Sequence, residues 1–468
     1  MPKRKEKIIE RLEITDVAAE GKAIGKHEGK VVFVPYTAPG DVVDVRVLKD
    51  RRHHVEAMVL EFHERSSLRV EPRCTYFGIC GGCKWQHLPY AAQIDFKEKQ
   101  VKEQLIRIGK LDVKEFLPIK GSAKEYAYRN KLEYTFSFKR WLTMEEIKSG
   151  EEITNAEALG FHIPGKFDKI LDIQECHLMD PVHNEIRNEI KNYAKKNKLS
   201  FYNVYEFSGA LRNVMIRVTE KGEWMVLVIF GEPLNTALTQ LLEHIAAKFP
   251  FIHSLLYVVN QKKNDTYNDL PIEVYKGKDH IMEDFGHLQF KISPKSFFQT
   301  NTSQAIQLYS ITKDFAQLTG NELVYDLYTG TGSIACFIAD QAKKVVGIEY
   351  VEDAIKDARI NAGLNGITNT DFYAGDMKDV LKDDFIATHG KPDVIITDPP
   401  RAGMHEDVVK KIWDISPQRI VYVSCNPSTQ ARDMALLGEK YEVLKSQPVD
   451  MFPHTHHVEN VALLQLKN

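Results

Sequence analysis

The sequence predicts an α/β protein, with an open parallel sheet in its last third, a small β-barrel at its start and a strand-rich domain between them. Three patterns carry that expectation. Residues 291–468 alternate apolar strands with helical segments, as a parallel sheet requires. Residues 7–66 hold short alternating runs broken by Pro and Gly, which read as a small barrel. The stretch between them reads mainly as buried strands. At 468 residues the chain exceeds one ordinary core, and the expected division is 1–66, 67–290 and 291–468.

Composition narrows the class. The chain is 43% hydrophobic and 27% charged, the balance of a soluble globular protein. No apolar run approaches the roughly 18 residues of a membrane span. The charged start, Met1–Lys7, lacks the apolar stretch of a signal peptide. A cytoplasmic monomer with no membrane partner is expected. The net charge of −3 argues against a strongly cationic nucleic-acid binder and leaves only local basic patches. In a reducing compartment the six cysteines point to metal or catalysis rather than to disulfides.

In the barrel segment, Lys30–Val34 leads to a turn at Pro35–Gly40, and Val43, Val45 and Val47 alternate with Asp44 and Arg46. Val55, Ala57 and Val59 repeat the pattern. Lys22, Lys30, Arg46 and Arg51 punctuate it, as in OB-like barrels that hold single-stranded nucleic acid; a plain solvated surface is the equal alternative. Cys74, Cys80 and Cys83 follow in a C-x5-C-x2-C array whose Gly81-Gly82 frees the backbone, and Cys176 is the expected fourth sulfur. Three clustered ligands and one distant one fit a [4Fe–4S] cluster ahead of zinc; a zinc site using His87 or His177, and unligated thiols, stay open. Ala91, Ile94, Val101, Leu105 and Ile108 predict a helix over 90–109, in a segment 90–120 expected to pack on the C-terminal domain. Strands are expected from Tyr128 onwards, at Leu211–Arg217 and at Trp224–Phe230, with an amphipathic helix over Thr236–Phe249. Arg129, Lys131, Arg212 and Arg217 either face RNA or serve the structure.

The C-terminal region carries the chemistry. The strand through Asp326 runs into Tyr328-Thr-Gly330-Thr-Gly332, and Lys344–Glu349 ends in a carboxylate. Further strands end at Asp376 and at Asp398-Pro-Pro-Arg401, and Val421–Ser424 delivers Cys425 to a strand end. Gly330, Gly332 and Ala335 satisfy a dinucleotide fingerprint, with Glu349 near the ribose position. So many carboxylates would repel a pyrophosphate and suit a sulfonium and an ammonium, which favours S-adenosylmethionine over NAD. Arg401 stands where amine methyltransferases place an aromatic to stack on the base, which leaves carbon as the acceptor. Cys425 is either a buried small hydrophobe or an aimed nucleophile.

Phe297-Phe-Gln-Thr-Asn301, Asp398-Pro-Pro-Arg401, Ser424-Cys-Asn-Pro427 and Phe452–Glu459, in that order, resemble the RNA uracil-5 methyltransferases over essentially the whole chain. The cysteine array, and a barrel that resembles a TRAM domain, match the iron–sulfur branch of that family, the 23S rRNA (uracil-5-)-methyltransferases. The resemblance implies a Rossmann-like S-adenosylmethionine-dependent methyltransferase domain acting on RNA, with 23S rRNA ahead of tRNA. It implies that Gln299, Tyr328, Glu349 and Asp398 contact S-adenosylmethionine, with Asp376 near the adenine. Cys425 would then add to uracil C6 to make C5 nucleophilic, and Glu459 would remove the C5 proton. His454, His456 and His457 are competing bases. A stacked uracil is out of reach, so the target is expected in a loop or flipped out. Cys336 falls outside every motif and is expected in the core.

Overall fold

The computed structural model describes residues 7–150 and 156–467, so the charged start ahead of Lys7 lies outside the described residues. Ile8–Val17 (β1), Lys22–His27 (β2), Lys30–Pro35 (β3), Val42–Asp50 (β4) and His54–Glu64 (β5) close into a barrel of order β1-β2-β3-β5-β4. The alternation read from the sequence fills it: Ile9, Ile14, Val32, Val34, Val43, Val45 and Val55 are buried together. The cysteine loop follows, then the helix Tyr90–Arg107 and a short strand, Val113–Phe116 (β6).

The central sheet contains Lys131–Ser137 (β7), Ala158–His162 (β8), Ile170–Asp172 (β9), Leu211–Val218 (β10), Trp224–Phe230 (β11), Ile252–Val259 (β12) and Glu273–Gly277 (β13). Its order is β13-β12-β11-β10-β7-β8-β9. Every residue of β11 is buried because both faces of the sheet are covered. On one face Val226 and Val228 pack with the helices Val182–Lys196 and Thr236–Lys248. On the other, Met225, Leu227 and Ile229 share a core with the hairpin Ile281–Phe285 (β14) and Leu288–Ile292 (β15) and with the helix Thr302–Ala316.

The C-terminal sheet contains Leu323–Leu327 (β16), Lys344–Glu349 (β17), Thr370–Ala374 (β18), Val394–Thr397 (β19), Arg419–Ser424 (β20), Tyr441–Val449 (β21) and Glu459–Leu466 (β22). With β6 it has the order β18-β17-β16-β19-β20-β22-β21-β6. The strands from β18 to β20 are parallel, and β22 lies antiparallel between β20 and β21. Chain order reverses between β16 and β19, which opens a crevice at their carboxyl ends.

One expectation is extended here and one pair of alternatives is decided. The 90–120 segment does more than pack on the C-terminal domain, because β6 pairs with β21 (Val113 opposite Val443) and extends its sheet. The four residues Val-Lys-Glu-Phe carry too little apolar pattern to announce a strand. For Arg212 and Arg217 the structural alternative holds. Both are buried, with Arg212 donating to the Asn260, Lys262 and Asn264 carbonyls and Arg217 to the Ser296 carbonyl. Among the described residues no helix is long and apolar enough to cross a membrane.

Candidate active site

The crevice is built from strand ends. The register sets Leu327 beside Ile348 and Thr397, so Tyr328, Glu349 and Asp398 stand in one row as the chain leaves β16, β17 and β19. Asp376 lies two residues past β18 and caps the next short helix by accepting from the Lys378 N–H. The glycine turn is held by carboxylates. Asp326 Oδ2 accepts from Thr329 Oγ1 and from the Ala335 N–H, while Glu349 Oε2 accepts from the Gly330 N–H at 3.2 Å. Gly330 has φ +55, and nothing lies within 4 Å of where a Cβ would stand, so the turn leaves an open cradle. Gln299 joins from the loop before the helix Thr302–Ala316; its carbonyl accepts from Asn130 Nδ2 at 2.9 Å.

The electrostatics of this crevice call for a cation. Burial pushes Asp326 up to about 7, helped by Glu349, and pushes Asp398 up to about 7, helped by Asp326. Asp326 Oδ1 is buried without a hydrogen-bond partner. A ligand bearing a sulfonium and an ammonium would let these carboxyls ionise, and the open turn has room for its backbone approach. The residues present therefore fit S-adenosylmethionine.

The second half of the site lies one strand further on. In the antiparallel β20–β22 pair Ser424 is opposite Asn460, which places the next residues, Cys425 and Glu459, opposite one another at the sheet end. Burial raises Glu459 to about 8, with Asp398 adding to the shift. Burial raises the half-buried Cys425 thiol to about 11, and Glu459 and Asp398 push the same way. Arg401 opposes them, chiefly through its positive charge. It also donates to His457 Nδ1 at 3.2 Å, and its carbonyl accepts from Asn426 Nδ2.

Cys425 opens into a cavity of about 540 Å³. It is lined by His456, His457 and Val458, by Lys22 and Tyr36 from the barrel and by Lys84 from the cysteine loop. Burial holds His456 near 4 and His457 near 3, so both are neutral at pH 7. His454 is not in this cavity; it is buried against Tyr126 and bonded to Gln93. Cys336 is buried in the core. Sequence reasoning gives Arg401 and the barrel's Tyr36 no place at the site, and offers Lys22 only as one of several barrel cations. It registers Arg401 only as a missing aromatic, and nothing local signals a barrel folded back over a distant strand end.

The other four cysteines gather elsewhere. Cys74, Cys80, Cys83 and Cys176 line one pocket of about 430 Å³, with Arg129 at its wall. Burial raises all four thiols, Cys83 to about 12 and Cys176 to about 11. Gln86 Nε2 donates to Cys83 Sγ at 3.2 Å and the Gly82 N–H to Cys80 Sγ at 3.5 Å. Among the described residues, no three His, Cys, Asp or Glu side chains stand close enough to hold a metal ion as placed. Four cysteine sulfurs on one pocket fit a thiolate-bound cluster in kind.

Comparison with known proteins agrees with this layout. The tRNA (Uracil-5-)-methyltransferase family matches residues 267–467, and the TRAM domain matches residues 4–60. A Bacteroides thetaiotaomicron protein named uncharacterized RNA methyltransferase is 57% identical over 96% of this chain and 100% of its own. A Porphyromonas gingivalis protein of the same name is 54% identical over 97% of this chain and 99% of its own. The crystal structure of the Pyrococcus abyssi tRNA (uracil-54, C5)-methyltransferase with S-adenosyl-L-homocysteine superposes with a TM-score of 0.74 at 29% identity, covering 97% of this chain and 100% of that one. The chain therefore belongs to the RNA (uracil-5-)-methyltransferase family with an N-terminal TRAM domain, and is an S-adenosylmethionine-dependent RNA methyltransferase.

Proposed function

We propose that this protein methylates C5 of a uridine in 23S rRNA through a covalent adduct on Cys425, working in the cytoplasm as a monomer. The observation that carries the reading is the β20–β22 register, which sets Cys425 opposite Glu459. Cys425 Sγ, as the thiolate, adds to uracil C6, and the ring becomes nucleophilic at C5. In the free protein the thiol is protonated at neutral pH, so it must lose its proton as RNA binds; Arg401 is the neighbouring charge that favours the thiolate. Bound S-adenosylmethionine supplies the methyl group, and Gln299, Tyr328, Glu349, Asp376 and Asp398 are the residues proposed to hold it. Glu459, as the carboxylate, then takes the proton from C5. The C–H electron pair re-forms the C5–C6 double bond and the thiolate leaves. A carboxyl near 8 suits a base working close to neutral pH.

Lys22 and Tyr36 of the barrel, with Lys84, line the same cavity as Cys425, which supports a role for the barrel in holding RNA around a flipped uracil. Cys74, Cys80, Cys83 and Cys176 are proposed to hold a [4Fe–4S] cluster, which when bound cross-links the cysteine loop to the central domain. The second reading is a tRNA substrate, favoured by the likeness to the Pyrococcus abyssi tRNA (uracil-54, C5)-methyltransferase.

Incubation with 5-fluorouridine-containing RNA and S-adenosylmethionine tests the chemistry, because fluorine at C5 cannot leave as a proton. A protein–RNA adduct that survives denaturation and vanishes in Cys425→Ala is expected; its absence from the wild-type protein overturns the mechanism. Nucleoside mass spectrometry of rRNA and tRNA from cells with and without the protein distinguishes the two substrates. Iron and sulfide quantitation of anaerobically purified protein tests the cluster, and about four of each per chain is expected.

A further inference from the structure

We propose that Gln93, Lys97 and His454 are positioning residues for Glu459, clamping the β21–β22 hairpin loop onto the helix Tyr90–Arg107. The proposal rests on the reading of Glu459 as the base that removes the C5 proton. In the hairpin Val449 pairs with Glu459, so residues 450–458 form its loop and Glu459 is the first residue back in the sheet. The end of that loop, from His456 to Val458, walls the Cys425 cavity.

The anchors of this loop come largely from the segment ahead of the central sheet. Asp450 Oδ1 accepts from Lys97 Nζ at 2.6 Å and Oδ2 accepts from Tyr90 OH at 2.8 Å. Lys97 also donates to the Phe452 carbonyl, and both charged side chains are fully buried. Tyr128 OH donates to the Pro453 carbonyl at 3.0 Å. The His454 N–H donates to Gln93 Oε1 at 2.7 Å, and Gln93 Nε2 lies 3.1 Å from His454 Nδ1. The His454 carbonyl accepts from the backbone N–H groups of Lys84 and Trp85, immediately after Cys83. Its ring packs on Tyr126 with centroids 4.3 Å apart.

His454 is held at φ +65, a conformation that costs a non-glycine residue about 1 kcal/mol or more and persists only where the surroundings over-determine it. A buried ion pair adds little net stability over an apolar pair of similar volume. The value of this arrangement lies in geometry, since a base displaced by about 1 Å can lose on the order of 100-fold in rate.

Proton removal comes after thiolate addition and methyl transfer. A loosened loop therefore leaves the Cys425 Sγ–C6 bond formed and C5 carrying both methyl and hydrogen, with no carboxylate to accept the proton and release the thiolate. The test is to mix Gln93→Leu, His454→Asn, Glu459→Gln and wild-type enzyme with ordinary uridine RNA and S-adenosylmethionine, then run denaturing gels beside steady-state kinetics. In Gln93→Leu and His454→Asn, kcat is expected to fall on the order of 100-fold, with KM for RNA within about twofold and the covalent species accumulating as in Glu459→Gln. Asn tolerates the left-handed backbone, so His454→Asn decides the matter if Gln93→Leu does not fold. Unchanged turnover, or slower turnover without adduct while Glu459→Gln accumulates it, overturns the positioning role. No adduct in Glu459→Gln overturns the base assignment and the proposal with it.

Discussion

Replacing Glu459 by Gln should make the protein more stable as it makes it inactive. Burial, reinforced by Asp398, lifts this carboxyl from 4.5 to about 8. The folded state therefore binds a proton that the unfolded chain has released between those values. A carboxyl raised in this way contributes its full stability below its unfolded pKa and loses it as pH rises through the folded one. At 1.36 kcal/mol per unit, the penalty is about 1 kcal/mol at pH 5, about 3 at pH 7 and just under 5 at pH 9, each an upper figure because Asp398 shares the strain. Gln has nearly the same shape and never ionises. Thermal melting of wild type and Glu459→Gln from pH 5 to pH 9 should show curves that start close together and separate, the variant melting higher as pH rises. Parallel curves would refute the buried, proton-binding carboxyl. The same ionisation sets activity: the wild-type rate should fall as pH drops below about 8, and Glu459→Gln should lack turnover across the range.

Glu349→Gln removes the charge that anchors the Gly330 N–H, and a charge-assisted hydrogen bond contributes about 1.5–3 kcal/mol. Calorimetric titration should find S-adenosylmethionine weakened about 10- to 100-fold; unchanged affinity would remove Glu349 from the proposed binding set. Lys97→Met removes the cation paired with the buried Asp450, at a cost of about 3–5 kcal/mol. Its melting temperature should drop well below wild type, and adding Asp450→Leu should recover part of the loss. Equal melting of Lys97→Met and wild type would show that the pair is not buried as described.

Much of the site was legible because its chemistry is written in local patterns. Alternating strands interrupted by helices announced the parallel sheet, and strand ends in such a sheet are where ligands sit, so Glu349, Asp398 and Cys425 could be singled out before any neighbour was known. The glycine turn with Glu349 after it is a similarly local signal. Arg401, Lys22, Tyr36 and Lys84 were not legible as cavity walls, since each approaches Cys425 only through contacts between separate parts of the chain. The fates of Arg212 and Arg217 show the same limit. An arginine on a strand reads alike whether it meets solvent or a row of buried carbonyls.

The sequence by itself therefore determined the α/β class, most element types and the residues proposed to carry the chemistry, because periodicity and motif spacing are properties of short stretches. Tertiary structure alone decided which of those residues meet. Inserting β22 antiparallel beside β20 brings Glu459 opposite Cys425, and no local rule specifies that insertion. Pairing β6 with β21 draws the 90–120 segment across, where Lys97 and Gln93 grip the loop leading to Glu459. The physical reason is that backbone propensity acts over a few residues, whereas burial, ion pairing and strand order are settled only when distant segments compete for the same core.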